Sequence, residues 1–524
     1  MVLKCSIVLF FIYTCLKVES AKILGVFPTP SISHQVVFRK ITEELVKRGH
    51  EVTVITPNPA FPKEEAPKNL REIDVHDVSY GVLKQAQDTG KEMMKIPKIF
   101  QIRFGFLFLT HAFMAQLKTT EVQELINNKN IEFDLILIES VIRPALIFSH
   151  IFKAPVILVS SVGGVLNNHE VMGSPTHPLL YPSSFRDRIY KLSFIEKLQE
   201  LFTHYSVEHG VYLNALDEEA MLKKLFGSEI PSLNELYNNV DMLLLNVHPI
   251  WADNQPVPPG VVYMGGIHQL PKIDLPKDLK TYLDSSKHGV IYVSFGTNAL
   301  STLLPPTLIE VIVKILSQMP YDVLWKWDKD ELPGKSDNIK IAKWFPQSDL
   351  LKHPKIKLFI MQGGLQSTDE AITAGVPLVC FPILGDQWFN AEKYVKHGIG
   401  LKLDSETVTE EEFKAAVETV IGNYSYRQNI VKLRNLMEDQ PEPPLQRAMW
   451  WIEYVIRHGG AKQLRAPAAN ISNYEYFVVD VLLVVVSAIL IILILTCTAI
   501  VIIYRLISKF LFGKKKVKTT KKKN

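Results

Sequence analysis

Cysteine is scarce in this chain, with four in 524 residues. Cys5 and Cys15 fall in an apolar N-terminal run, Cys497 falls in another near the C-terminus, and Cys380 stands alone between them. A disulfide framework within the intervening body is therefore excluded. Neither a GxGxxG nor a GxxxxGK[ST] string occurs, which weakens a dehydrogenase or P-loop reading. Heptads and short-period repeats are also missing. Two polar groupings fall short of metal sites. His204 and His209 are five apart, off the i, i+4 spacing that puts two ligands on one helical face. Asp328-Lys329-Asp330 fits DxD formally, but it leads into Leu332-Pro333-Gly334, which is turn chemistry.

Positive charge is lacking wherever a nucleic-acid surface would need it. The formal charge of +4 divides into +9 on residues 505–524, +1 on the first twenty residues and −6 on the body. The chain does have two long apolar runs. The first, 5–16, follows Lys4 and precedes Val18-Glu19-Ser20-Ala21, as in a cleaved secretory signal over 1–20. The second, 481–504, has no charged side chain and as a helix would reach roughly 36 Å, enough to cross a bilayer. It predicts one transmembrane helix over 477–504. The tail that follows, 505–524, holds nine Lys or Arg and no acid, so it is expected in the cytosol with the body across the membrane. Its ending, Lys521-Lys522-Lys523-Asn524, is similar to the dilysine signal that retrieves proteins to the endoplasmic reticulum. Asn423 and Asn470 each begin a glycosylation tripeptide on the side expected to be lumenal.

Between these ends the hydrophobic period alternates. Residues 22–27 read as a strand, 34–49 as an amphipathic helix and 51–55 as a second strand. A comparable series begins at 290–295, with a helix over 305–319 and strands at 322–327, 339–344 and 357–361. Strands alternating with helices predict parallel sheets covered on both faces, and two such series predict an α/β protein of two doubly wound domains. The boundary is expected in 253–287, where Pro256, Pro258, Pro259, Pro271 and Pro276 disfavour regular structure. That divides the chain into 21–280 and 281–440, followed by 441–476, whose helix 445–458 packs back on the first domain. The Phe-, Leu- and Ile-rich stretch 96–120 is interrupted by Lys98 and Arg103. It reads as a buried helix of the first domain rather than a second span, and could equally line a pocket.

The most informative stretch is 359–390, FIMQGGLQSTDEAITAGVPLVCFPILGDQWFN. An apolar strand runs through Gly363-Gly364 into a helix whose first turn carries Gln366, Ser367, Asp369 and Glu370. Unpaired amides and the dipole at such a helix start favour a phosphate. The whole string resembles the signature of the UDP-glycosyltransferase family. The resemblance extends over SHQVVFRKITEELVKRGHEVTVITP from Ser33, GSPTHPLLYPSSF at 173–185, VSFGT at 293–297, WFPQSDLL at 344–351 and AMWWIEYVIRHGGAKQLR before the membrane run.

That resemblance implies two facing Rossmann-like domains of the GT-B type with a membrane anchor. It puts uracil on Trp344 with Gln347 nearby, the ribose on Glu370, and the diphosphate on Thr297, Gln362, Gly364, Gln366 and Ser367. The sugar falls to Asp386 and Gln387. His34, after the first strand, matches the family's catalytic base, and Glu139, at the end of strand 133–138, takes the place of its supporting Asp. Asp134, which begins that strand, is expected at its far end. The activity implied is inverting hexosyl transfer to a small lipophilic acceptor, as in detoxification or conjugation, with no cofactor or metal. Many relatives have His where Gln362 stands and Arg where Gln255 stands, so two positive groups are missing and glucose is favoured over glucuronic acid as donor. Glucuronosyl transfer and a non-catalytic carrier of UDP-sugar or lipophilic ligand are the alternatives; oligomeric state is left open.

Overall fold

The computed structural model describes residues 20–93, 98–269, 273–297 and 304–513. The expected leader apart from Ser20, the tail from 514 onward and Pro271 lie outside the described residues.

Two parallel sheets organise the body. The first has seven strands, β1 (Lys22–Val26), β2 (Glu51–Thr56), β3 (Leu70–Asp74), β4 (Leu135–Glu139), β5 (Val156–Ser160), β6 (Val240–Leu245) and β7 (Val261–Tyr263), in the order β3-β2-β1-β4-β5-β6-β7. The second has six, β8 (Val290–Ser294), β9 (Asp322–Lys326), β10 (Ile339–Ala342), β11 (Ile356–Met361), β12 (Leu378–Cys380) and β13 (Gly400–Lys402), in the order β10-β9-β8-β11-β12-β13. Strands β4, β5, β6 and β8 are buried along their whole length, because helices cover both faces of a parallel sheet. In both sheets the order reverses beside the first strand, between β1 and β4 and between β8 and β11. Doubly wound sheets take their ligands at these switch points.

The Pro-rich stretch 253–287 departs from expectation by holding β7 and the helix Lys277–Ser285. Pro258 and Pro259 precede β7 and Pro276 is the N-cap of that helix, so the prolines bound the elements instead of interrupting them.

Six helices matter for the site and its support: α1 (Ile32–Lys47), α2 (Lys98–Gln116), α3 (Phe194–Phe226), α4 (Leu365–Ala374), α5 (Gln387–His397) and α6 (Pro444–His458). Helix α6 follows the second sheet in sequence yet buries Ala448, Met449, Ile452 and Val455 with Val37, Ile41 and Leu45 of α1. Arg48 Nη1 donates to Glu453 Oε1 at 2.8 Å across that contact.

The chain divides into two compact units, one ending at Ala469 and the other beginning at Asn470. The second unit contains α7 (Val479–Phe512), among the described residues the one helix long and apolar enough to cross a membrane. It runs eight residues beyond the expected end of the span at 504, because nothing between Arg505 and Phe512 breaks a helix before Gly513.

Candidate active site

Strands β1, β4 and β5 lie side by side, so the residues at their C-terminal ends converge. His34 sits in the first turn of α1, Glu139 ends β4, and Ser161 follows β5. His34 Nδ1 is 2.9 Å from Glu139 Oε1 and 2.9 Å from Ser161 Oγ. A carboxylate only accepts, so Nδ1 carries the proton and the lone pair lies on Nε2. Glu139 is buried, and its second oxygen accepts from the Thr29 amide at 3.0 Å. Gln35 fixes the loop between β1 and α1. Its amide donates to the Phe27 and Thr29 carbonyls, each at 2.9 Å, and its oxygen accepts from Thr56 Oγ1 at 2.9 Å. Asp134 is at the far end of β4, where it accepts from the Lys22 amide at 2.7 Å.

His34 opens into a cavity of about 440 Å³. Ile102, Phe106 and Leu109 of α2 form one wall, joined by Phe185 at the end of the 173–185 motif. Thr297, Asp386 and Trp388 close it from the second domain. The apolar stretch 96–120 thus supplies a cavity wall as well as core.

At the second sheet, neighbouring strands end successively in Trp344 beyond β10, Lys326 on β9, Gly296-Thr297 beyond β8 and Gln362-Gly363-Gly364 beyond β11. Trp344 is 63% exposed, which leaves an indole face open for stacking. Lys326 Nζ lies 5.8 Å from its ring centroid and donates to the Gly296 carbonyl at 2.5 Å. Burial holds the Lys326 ammonium below the usual lysine range, with Asp328 opposing. Gly296 and Gly363 have φ of +78° and +97°. A Cβ at Gly296 would lie 2.2 Å from Gln362 Nε2, and one at Gly363 would lie 2.9 Å from Cys380 Sγ. Glycine at both positions lets the turns close tightly against their neighbours. Gly364 is the N-cap of α4, whose first amides form the anion-favouring end.

Gln347 ties this side together, donating to Ser367 Oγ at 2.9 Å and Glu370 Oε2 at 2.6 Å and accepting from Tyr292 OH at 3.2 Å. Burial raises the Glu370 carboxyl, and the Gln347 hydrogen bond opposes it. Asp386, the N-cap of α5, is pushed up to about 6, mainly by burial; Asn390, its own amide and nearby His34 pull the other way.

Two of the residues that the resemblance assigns to the donor also make contacts within the protein. Gln366 Nε2 donates to the Ser161 carbonyl at 2.9 Å, joining the start of α4 to the loop beside His34. Gln387 Oε1 accepts from the amides of Ile383 and Leu384 at 2.7 and 2.8 Å, so this half of its side chain shapes a loop. Ser161, Thr29, Tyr292 and Lys326 went unremarked in the sequence. Strand-end position was the available signal for Lys326, but for Ser161 it also required knowing that β5 lies beside β4. Among the described residues, no group of three or more His, Cys, Asp or Glu is placed to hold a metal; Asp330 of the DxD string pairs with Lys343 at 2.8 Å.

A model of the family described as "UDP-glucoronosyl and UDP-glucosyl transferase" matches residues 21–517. The ecdysteroid UDP-glucosyltransferase of Spodoptera littoralis nuclear polyhedrosis virus is 37% identical over 485 residues, 88% of this chain and 93% of that protein. The UDP-glycosyltransferase UGT5 of Dactylopius coccus is 31% identical over 510 residues, 96% of each chain. Among solved structures, a UDP-glucosyltransferase from Polygonum tinctorium capable of glucosylating indoxyl matches with a TM-score of 0.56 at 15% identity, covering 84% of this chain and 100% of that one. The calicheamicin glycosyltransferase CalG4 matches at 0.54 and 16%, covering 84% and 99%. At those identities the structural likeness speaks for the fold alone, two facing Rossmann-like domains of the GT-B type.

Proposed function

The chain belongs to the UDP-glycosyltransferase family, and from that premise we propose that it transfers glucose, with inversion, from UDP-glucose to a hydroxyl of a small lipophilic acceptor. The observation that carries this reading is the junction at Ser161. There the His34–Glu139 pair at the mouth of an apolar cavity is joined through Gln366 to the start of α4.

In this mechanism the acceptor lies in the cavity with its hydroxyl at His34 Nε2. As the oxygen attacks the anomeric carbon, Nε2 takes its proton and Glu139 stabilises the resulting imidazolium. The bond from the anomeric carbon to the diphosphate breaks and UDP departs on the opposite face, which inverts the configuration. The amides opening α4, with Ser367, Thr297 and Gln362, donate to the departing diphosphate. Lys326 adds a cation at the same edge. Trp344 stacks on uracil and Glu370 accepts from the ribose, so these remote contacts orient the sugar. Asp386 and the amide of Gln387 hold its hydroxyls.

Glucose is favoured because Gln255 and Gln362 are neutral where a carboxylated sugar would be best served by cations. The relatives named as glucosyltransferases point the same way. The reading extends to an endoplasmic-reticulum membrane protein with α7 as its single span, a lumenal body and a cytosolic basic tail. The products of UDP-glucose and UDP-glucuronate reactions with a simple phenol test it. A β-glucoside formed at least tenfold faster than any glucuronide is expected. An α-linked product would contradict inversion, and a dominant glucuronide would contradict the donor.

A further inference from the structure

A second cavity, of about 410 Å³, shares no lining residue with the one into which His34 opens. His248 and Gly265, beyond β6 and β7, form its wall on the first domain. On the second domain Asp369, Ile372 and Thr373 of α4 face it, together with the last turn of the helix Ser425–Glu438. The segment 440–444, which carries the chain from the second domain back to α6 on the first, completes it. The cavity therefore lies where the two domains are joined.

Asp369 is the group in it that lacks a partner. It is 4% exposed, and among the described residues its Oδ2 has no hydrogen-bond partner. Burying a carboxyl unsatisfied costs free energy that a ligand or counter-ion can recover. Burial, and after it Glu370, hold this carboxyl well above the usual carboxylate range. The charges nearby do not relieve it. Glu442 is held by Arg447 at 3.2 Å, and burial, with Arg447 second, pushes the His248 imidazole down to about 4, which leaves it neutral. Arg434 remains, against Asp369 and Glu438, and its hydrogen bonds go to the Thr373 carbonyl and Asn435 Oδ1, each at 3.4 Å. Met437 and Glu438 end their helix at the cavity, so the negative end of its dipole adds to the acids. What the cavity is short of is a positive charge, and Ile372, Met437 and Pro443 supply apolar surface beside the place for it.

We propose that this cavity is a second binding site, for a small organic amine whose ammonium pairs with Asp369 and whose apolar body lies against Ile372, Met437 and Pro443. The site is coupled to the donor through α4. Asp369, Ile372 and Thr373 follow at i, i+3 and i+4 on the face toward the cavity, and Gln366, Ser367 and Glu370 occupy the adjoining face. An amine that bridges α4 to the first domain stabilises the arrangement in which Gln366 reaches Ser161. Amine and donor are therefore expected to strengthen each other's binding, by the same factor in both directions. Amine binding rests on the cavity alone; the coupling rests on the donor placement proposed above.

The test uses the full chain in detergent micelles, with 2-phenylethylamine as the probe and 2-phenylethanol as its neutral counterpart. Calorimetry is expected to show the amine binding at least tenfold more tightly than the alcohol. Asp369→Asn should lower the amine affinity at least tenfold, as should Met437→Trp, which fills the cavity from a different wall. Phe106→Ala, in the cavity beside His34, should leave it within twofold. Thermal melts confirm that each variant is folded, and the two substitutions on separate helices keep the test decisive if one is not. Saturating amine is expected to tighten UDP binding at least threefold. Equal binding of amine and alcohol, or an affinity that falls with Phe106→Ala and not with Asp369→Asn, would overturn the site. Amine binding that leaves UDP affinity unchanged would overturn the coupling. If the unsubstituted protein does not bind UDP, the donor reading fails and the amine titrations still decide the site.

Discussion

Asp386 combines the proposed contact to the sugar with an energetic cost. Burial lifts its carboxyl to about 6, against the pull of Asn390, its own amide and His34. The folded value lies above the unfolded one, so the contribution to stability is full below pH of about 4 and is lost as the pH rises through about 6. Above that the ionised group costs up to about 3 kcal/mol. The ionised carboxylate accepts from sugar hydroxyls through both oxygens in charge-assisted bonds that are stronger than those to the neutral acid. The KM for UDP-glucose is therefore expected to rise as pH falls below about 6. Asp386→Asn should melt higher than the unsubstituted protein at pH 7.5 while binding donor more weakly and with a flatter pH profile. Thermal melts and a pH series of KM check both parts, and a variant that melts lower with an unchanged pH profile would contradict them. Gln366 marks the limit of reading single residues from sequence. Its place at the start of α4 was legible, but its hydrogen bond to Ser161 depends on how the two domains meet.

At the scale of elements, the site depends on one turn, from β11 through Gly363 into α4. A Cβ on Gly363 would meet Cys380 Sγ at 2.9 Å and the Gln387 carbonyl at 3.0 Å, at a φ of +97° that side chains rarely adopt. Gly363→Ala is expected to destabilise the protein by roughly 1–3 kcal/mol and to weaken UDP binding at least tenfold by displacing the amides of α4. Calorimetry with UDP and a melt measure these effects, and unaltered binding would contradict the placement of the diphosphate. This turn was visible in the sequence because Gly-Gly between an apolar strand and a polar helical turn is a local pattern. The strands β1, β2, β8 and β9 were visible for the same reason, as continuous or alternating apolar runs. Short β7 was hidden among prolines, since three residues paired to β6 leave no period to read. Helix α2 was ambiguous because it is apolar all round, and only its packing showed that one side faces a cavity.

At the scale of the molecule, both sheets follow the doubly wound order, and the two switch points hold the two halves of the proposed chemistry. A polar lock joins the domains away from the catalytic pair. Trp251 Nε1 donates to Asn390 Oδ1 at 2.9 Å, and Asp253 receives Lys393 at 2.8 Å, Lys396 at 2.5 Å and Tyr190 at 2.9 Å. Burial pushes the Lys393 ammonium down to about 8 even with Asp253 beside it, so the lock depends on all its members being present. No sequence pattern announced it, because its partners are up to 206 residues apart. The central claim is that His34 takes the acceptor's proton while the second domain holds UDP-sugar. Acceptor-dependent UDP release from UDP-glucose, compared between the unsubstituted protein and His34→Ala with donor binding followed in parallel, tests it most directly. The account predicts release that falls at least a thousandfold in the variant while donor affinity stays within threefold. Equal release from both proteins, or no acceptor-dependent release from folded protein that binds the donor, would contradict it.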